Sequence, residues 1–149
     1  MFEKLYILFE KLYIPYENKF YPENDDGNIE YKLRLDTKND MGKKKLLTQM
    51  MWRLNEGYEN TGIHNAHYFI GIYDNGTLGK LSEDQINKSI EIFKKVLFDA
   101  DIELINDIKK NINDSYVYYA YIIKNNKINI IKEKNVVIIG DSQSGKTSL

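Results

Sequence analysis

The chain has 149 residues, a formal net charge of −1, 29% charged residues and no cysteine. That length supports one domain of ordinary size with a real core, the balanced charge gives no global basic field for nucleic acid, and the missing thiols exclude a disulfide framework and a zinc-thiolate site. No apolar run reaches membrane-span length, and Met1-Phe2-Glu3-Lys4-Leu5 has neither the basic region nor the unbroken apolar core of a signal peptide, so a soluble cytoplasmic protein without a membrane partner is expected.

The N-terminus holds a tandem repeat, Phe2-Glu3-Lys4-Leu5-Tyr6-Ile7 followed by Phe9-Glu10-Lys11-Leu12-Tyr13-Ile14. Its seven-residue period stacks Phe2, Leu5, Phe9 and Leu12 on one helical face, and Pro15 ends the pattern. A short amphipathic helix docked on a partner or on the domain, and a local duplication without function, both fit. Residues 15–28, with Pro15, Pro22 and Asn24-Asp25-Asp26-Gly27-Asn28, read as a linker. The acidic cluster fails as a calcium loop: with Gly27 at the sixth position, Pro22 and Leu33 stand where carboxylates are required. It reads as a solvated turn.

Ile29, Tyr31, Leu33 and Leu35 alternate with Glu30, Lys32 and Arg34, the pattern of a half-buried strand. Asp40 can cap a helix whose stripe is Leu46, Leu47, Met50, Met51 and Leu54 and whose end is predicted near Gly57. Lys43, Lys44 and Lys45 read as its solvated first turns or, more sharply, as a basic contact to RNA. Residues 66–73 form a second strand before the tight-turn signal Asp74-Asn75-Gly76, and 77–81 return as a short strand. Ser82 and Gln85 make a capping box for a helix with Ile86, Ile90, Phe93 and Leu97 at helical spacing. Residues 101–105 alternate as a third strand, and 116–123 form a longer tyrosine-rich one. A turn follows at Asn125-Asn126, and 127–132 can pair back.

The chain then enters Val136-Val137-Ile138-Ile139 and Gly140-Asp141-Ser142-Gln143-Ser144-Gly145-Lys146-Thr147-Ser148-Leu149. Gly140, Gly145, Lys146 and Thr147 fill the phosphate-loop pattern G-x-x-x-x-G-K-[ST], with an apolar strand before it. In such a loop the backbone N–H groups of residues 142–146 form a concave anion site at a helix N-terminus. Lys146 reaches the β- and γ-phosphates, and the Thr147 hydroxyl ligates Mg²⁺. The nucleotide-binding set is therefore Asp141, Ser142, Gln143, Ser144, Gly145, Lys146, Thr147 and Ser148. By itself the motif suits ATP as well as GTP.

Other candidates are weaker. His64 and His67 lie three apart without a cysteine or obvious carboxylate partner, which argues against a metal site. Tyr116, Tyr118, Tyr119 and Tyr121 suggest a stacking platform for single-stranded nucleic acid, but they occupy both faces of one strand, as core packing would also require. Trp52 faces away from the leucine stripe, toward the sheet edge or a partner. No Ser-His-Asp set or paired-carboxylate geometry follows from spacing in residues 1–135.

The expected fold class is α+β: a four- to six-stranded, mainly antiparallel sheet with two helices on one face, followed by the first strand and P-loop of an α/β P-loop NTPase domain. Residues 1–28 are read as an N-terminal extension and linker, 29–132 as an accessory domain, and 135–149 as a truncated start of a G domain. Gly27-Asn28-Ile29-Glu30-Tyr31-Lys32-Leu33-Arg34-Leu35, Leu47-Thr48-Gln49-Met50-Met51-Trp52-Arg53-Leu54-Asn55-Glu56-Gly57 and Ile70-Gly71-Ile72-Tyr73-Asp74-Asn75-Gly76 followed by Gly79-Lys80-Leu81-Ser82-Glu83, ahead of a P-loop, resemble the N-terminal region of the GTP-binding protein 1/2 branch of elongation factor Tu-like GTPases. The resemblance implies a GTPase in its full form, with GTP and Mg²⁺ as ligands and with ribosome, RNA or translation and RNA-decay proteins as partners. Gln143 departs from it, because translational GTPases usually carry Asp there, and the loop itself is closer to that of Ras-type small GTPases. The 149 residues contain no N-K-x-D and no D-x-x-G element, so these residues alone are expected to be inactive. The competing expectation is a non-catalytic RNA- or protein-binding module.

Overall fold

The computed structural model describes residues 2–36 and 39–125. The P-loop expected over 140–148, the strand expected over 136–139 and the return strand expected over 127–132 lie outside the described residues. In chain order the elements are α1 (Phe2–Leu12), β1 (Tyr13–Ile14), β2 (Lys19–Phe20), β3 (Ile29–Lys32), α2 (Asp40–Thr61), β4 (His64–Ile70), α3 (Glu83–Asp99), β5 (Glu103–Ile112) and β6 (Ser115–Lys124). The fold is α+β, built on a four-stranded sheet of order β3-β4-β6-β5 with a separate two-stranded β1-β2 pair.

The sheet is mixed. β3 runs parallel to β4, with Ile29 opposite His67 and Lys32 opposite Ile70, whereas β4–β6 and β5–β6 are antiparallel. The parallel pair follows from connectivity: β3 reaches β4 through α2, and parallel neighbours need such a crossover.

α2 is capped by Asn39, whose side-chain oxygen accepts from the Gly42 N–H at 2.9 Å; Asp40 lies one residue inside, in the first turn. The helix also continues past its expected end. Gly57 sits where α2 presses on β4, and a Cβ there would collide with the Asn65 carbonyl oxygen. The glycine therefore serves close helix–strand approach rather than termination. The stop is Gly62, left-handed at φ 81°, whose N–H donates to the Tyr58 carbonyl. In α3 the capping box forms reciprocally between Ser82 and Gln85.

Both long helices lie on one face of the sheet, as expected. Leu46, Met50 and Leu54 of α2 and Ile86, Phe93 and Leu97 of α3 pack against Tyr68, Ile70, Tyr118 and Ile122. The other face is covered by the N-terminal segment. Phe9 of α1 and Phe20 of β2 are buried against Tyr31, Phe69, Val117 and Tyr119, so α1 docks on the domain and the segment from Phe9 to Phe20 is anchored to the sheet instead of trailing from it. The turn at 74–76 ties this segment down, since the Phe20 N–H donates to the Gly76 carbonyl at 2.8 Å. Residues 77–81 do not form a strand; they make isolated bridges, Ile72 with Leu78 and Lys19 with Thr77.

β5 is twice as long as the segment expected over 101–105. A register shift between Leu104 and Asn106 moves later residues to the opposite face, which breaks the period-two signal. Leu104 packs with the helical face, while Ile108 and Ile112 pack on the other.

Candidate functional site

The nucleotide-binding residues read from the sequence, Asp141, Ser142, Gln143, Ser144, Gly145, Lys146, Thr147 and Ser148, with Thr147 also expected as the Mg²⁺ ligand, lie outside the described residues. Within the described residues, side chains with chemistry gather at three places around the sheet.

The first surrounds Arg53, which sequence reasoning missed because it follows Trp52 in a helix that reads as surface. The residue is only 3% exposed. Nε donates to Glu30 Oε1 at 2.7 Å, and Glu23 Oε2 lies 3.6 Å from Nη2. The remaining protons point to backbone carbonyls of the acidic turn: Nη1 to Gly27 at 2.7 Å and Asp26 at 3.2 Å, Nη2 to Asn24 at 3.1 Å. In the turn that fails as a calcium loop Asn24, Asp25 and Asp26 have exposed side chains, yet the turn's carbonyls surround a cation supplied by α2. Glu30, read as a solvent-facing alternate of β3, is buried for the same reason. Burial pushes the Glu23 carboxyl above its ordinary range, opposed by the Tyr31 N–H bonded to it at 2.7 Å and by Arg53. With its charges paired and every guanidinium nitrogen hydrogen-bonded, the cluster is structural: it locks the loop before β3 to the middle of α2.

The second place lies on the same two elements, nearer the helix start. The segment leaving β3 and the first three turns of α2 enclose a cleft of about 1050 Å³ whose lining includes Lys32, Arg34, Lys44, Lys45, Gln49 and Trp52. Lys43, the third lysine of the run, lines a smaller depression toward α3. Trp52 is 43% exposed, and the Arg53 guanidinium carbon lies 4.9 Å from its ring centroid.

The third is on the opposite face. His67 Nδ1 and the Tyr119 hydroxyl are 2.7 Å apart, and the imidazole stacks on Tyr121 with centroids 4.8 Å apart. Burial lowers the His67 pKa to about 4, so the ring is neutral at pH 7. His64, its pKa also lowered by burial, stacks on Tyr58 at 4.4 Å. The two histidines thus have separate aromatic partners, and among the described residues no group of three or more His, Asp or Glu can hold a metal ion. The tyrosines do not make one platform. Tyr118 and Tyr119 are buried on opposite faces, and the Tyr118 hydroxyl donates to Asp107 at 2.6 Å. No described helix is long and apolar enough to cross a membrane.

Comparison with known proteins bears on the region as a whole. The chain is 31% identical over 138 residues to GTP-binding protein 2 of Mus musculus and of Homo sapiens, an alignment covering 86% of this chain and 21% of each relative. It is 29% identical over 95 residues, 64% of this chain and 49% of the other, to Uncharacterized protein R625 of Acanthamoeba polyphaga mimivirus. The chain spans about a fifth of the length of the GTP-binding protein 2 relatives it matches. No family model matches it, and no solved structure does. The chain is related to proteins named for GTP binding.

Proposed function

We propose that this chain supplies an accessory domain and the phosphate-binding loop of a GTP-binding protein of the elongation factor Tu-like kind. The observation that carries the reading is the 31% identity to GTP-binding protein 2, in a sequence that also holds Gly140, Gly145, Lys146 and Thr147 in P-loop spacing. Residues 141–148 then wrap the phosphates with backbone N–H groups, Lys146 neutralises the β- and γ-phosphates, and Thr147 completes the Mg²⁺ shell. Hydrolysis requires the switch threonine and D-x-x-G elements, and guanine selection requires N-K-x-D. The described domain serves as a platform beside that chemistry, in a cytoplasmic setting.

The test is nucleotide binding by the product of the whole reading frame. A fluorescent GTP analogue should bind with micromolar or tighter affinity, unaffected by excess ATP. Lys146→Ala should weaken it roughly 10- to 100-fold, the loss of one charge-assisted contact. Equal competition by ATP removes the guanine reading, and an unchanged Lys146→Ala variant removes the P-loop reading. Residues 1–149 by themselves should show no micromolar GTP affinity by calorimetry, since they contain no N-K-x-D element.

A further inference from the structure

The cleft between β3 and α2 concentrates positive charge. The protein carries a net −1, yet four cations, Lys32, Arg34, Lys44 and Lys45, line this cleft against one carboxylate, Asp36. Lys32 lies 3.8 Å from Glu30. Arg34, Lys44 and Lys45 form no ion pair with another described residue; Lys11, Lys80 and Lys88 elsewhere on the surface share that property, but here three such cations line one cleft together. Beside the unpaired charges stands Trp52, 43% exposed and braced by the buried Arg53. The order of the sheet places β3 at its edge, so the cleft opens along the border of the domain. At about 1050 Å³ the cleft lies at the top of the roughly 300–1,000 Å³ range of small-ligand pockets, room enough for a nucleotide and the phosphates beside it.

We infer that this cleft binds single-stranded nucleic acid, with backbone phosphates on Arg34, Lys44 and Lys45 and one base stacked on Trp52. Unpaired cations along a groove attract any polyanion. A planar indole left in solvent and held from behind by a fixed guanidinium adds a surface that a base can stack on and an acidic peptide cannot use in the same way. The inference does not depend on the P-loop or on nucleotide binding.

Trp52 is the chain's single tryptophan, so the site carries its own reporter. The 149-residue chain, titrated with oligouridylate or oligothymidylate of about 12 nucleotides, should show quenching of tryptophan fluorescence with micromolar affinity at about 50 mM salt. Each phosphate contact on a single strand contributes about 0.7 to the salt slope, so three to four contacts predict a roughly 20- to 50-fold weaker affinity at about 200 mM. Lys44→Glu with Lys45→Glu should lower affinity at least about 10-fold, by loss of two contacts and gain of repulsion. Trp52→Phe should keep most of the binding and Trp52→Ala lose about 5- to 150-fold, read by anisotropy of a labelled oligonucleotide. Preference for the ribo- over the deoxy-oligomer identifies RNA as the ligand; equal binding identifies single strands in general. The inference is overturned if neither oligomer binds at the lower salt. It also fails if the double lysine variant, with an unchanged circular dichroism spectrum, binds as well as the parent. Equal affinity for polyglutamate would make the cleft an acidic-peptide site, and loss of binding in Lys146→Ala alone would move the contact to the P-loop.

Discussion

The two faces of the central sheet are covered by different means. One carries α2 and α3, long capped helices whose mostly aliphatic stripes interlock with β4 and β6. The other is sealed by α1 and the β1-β2 pair, and its centre is aromatic: Phe9, Phe20 and Phe69 lie within 5.2–5.8 Å of one another, centroid to centroid. The helical face can draw on local helix stability, with caps and regular periodicity supporting each element before it packs. The aromatic face joins segments too short to persist alone. Strands of two residues hold only because Phe20 is fully buried and its N–H is bonded to the Gly76 turn. Polar anchoring differs as well. The helical face has one dense ionic cluster at its edge, around Arg53, and the aromatic face has the neutral His67–Tyr119 pair.

Breaking the ionic anchor should have the largest effect. Arg53→Ala leaves Glu30 buried without its partner and strips the carbonyls of residues 24–27 of their donor. A loss of about 3–5 kcal/mol is expected in urea unfolding. Phe20→Ala tests whether the aromatic face is integral: about 3 kcal/mol or more should be lost, and an unchanged midpoint would make residues 2–28 a dispensable cover. Acid should act on the His67 anchor. Its pKa is about 4 when folded against an ordinary 6.5, so between those values the unfolded chain binds more protons and stability falls as pH drops. At roughly 1.4 kcal/mol per unit, His67 accounts for about 2–3 kcal/mol across that window, and His67→Phe should remove this part of the slope in unfolding measured from pH 7 to 4. The smallest effect belongs to Tyr68→Phe. The Tyr68 hydroxyl is buried without a hydrogen-bond partner, so its removal should leave stability unchanged or raise it by up to about 1 kcal/mol. A loss larger than that would mean the hydroxyl has a partner after all.

Much of the helical face was legible in the residues. The Ser82–Gln85 box, the stripes of α2 and α3 and the strands around Tyr68 and Tyr118 follow from periods of 3.6 and two. The aromatic face was not. Phe9 and Phe20 sit in segments that read as a repeat and a linker, and nothing local says that they meet Phe69. The extra length of β5 was hidden by the bulge at Ile105, and the parallel sense of β3 by its dependence on where α2 crosses. Of the cleft, the lysine run is legible in the sequence, and so is the position of Trp52 off the leucine stripe. Their meeting with Arg34 and Lys32 is not, because the strand and the helix come together only through the β3-α2-β4 crossover.

The sequence by itself determined the class of the protein's relatives and the P-loop pattern, because a phosphate loop is a contiguous run whose glycines, lysine and threonine need no distant partner to be recognised. It also determined the caps and stripes, which are local physics. Only the tertiary structure decided that Arg53 is a buried clamp and that Phe9 and Ile14 of the N-terminal repeat belong to the core. It alone joined the unpaired cations and Trp52 in one cleft. Charge and burial are properties of surroundings, and those surroundings are assembled from residues far apart in the chain.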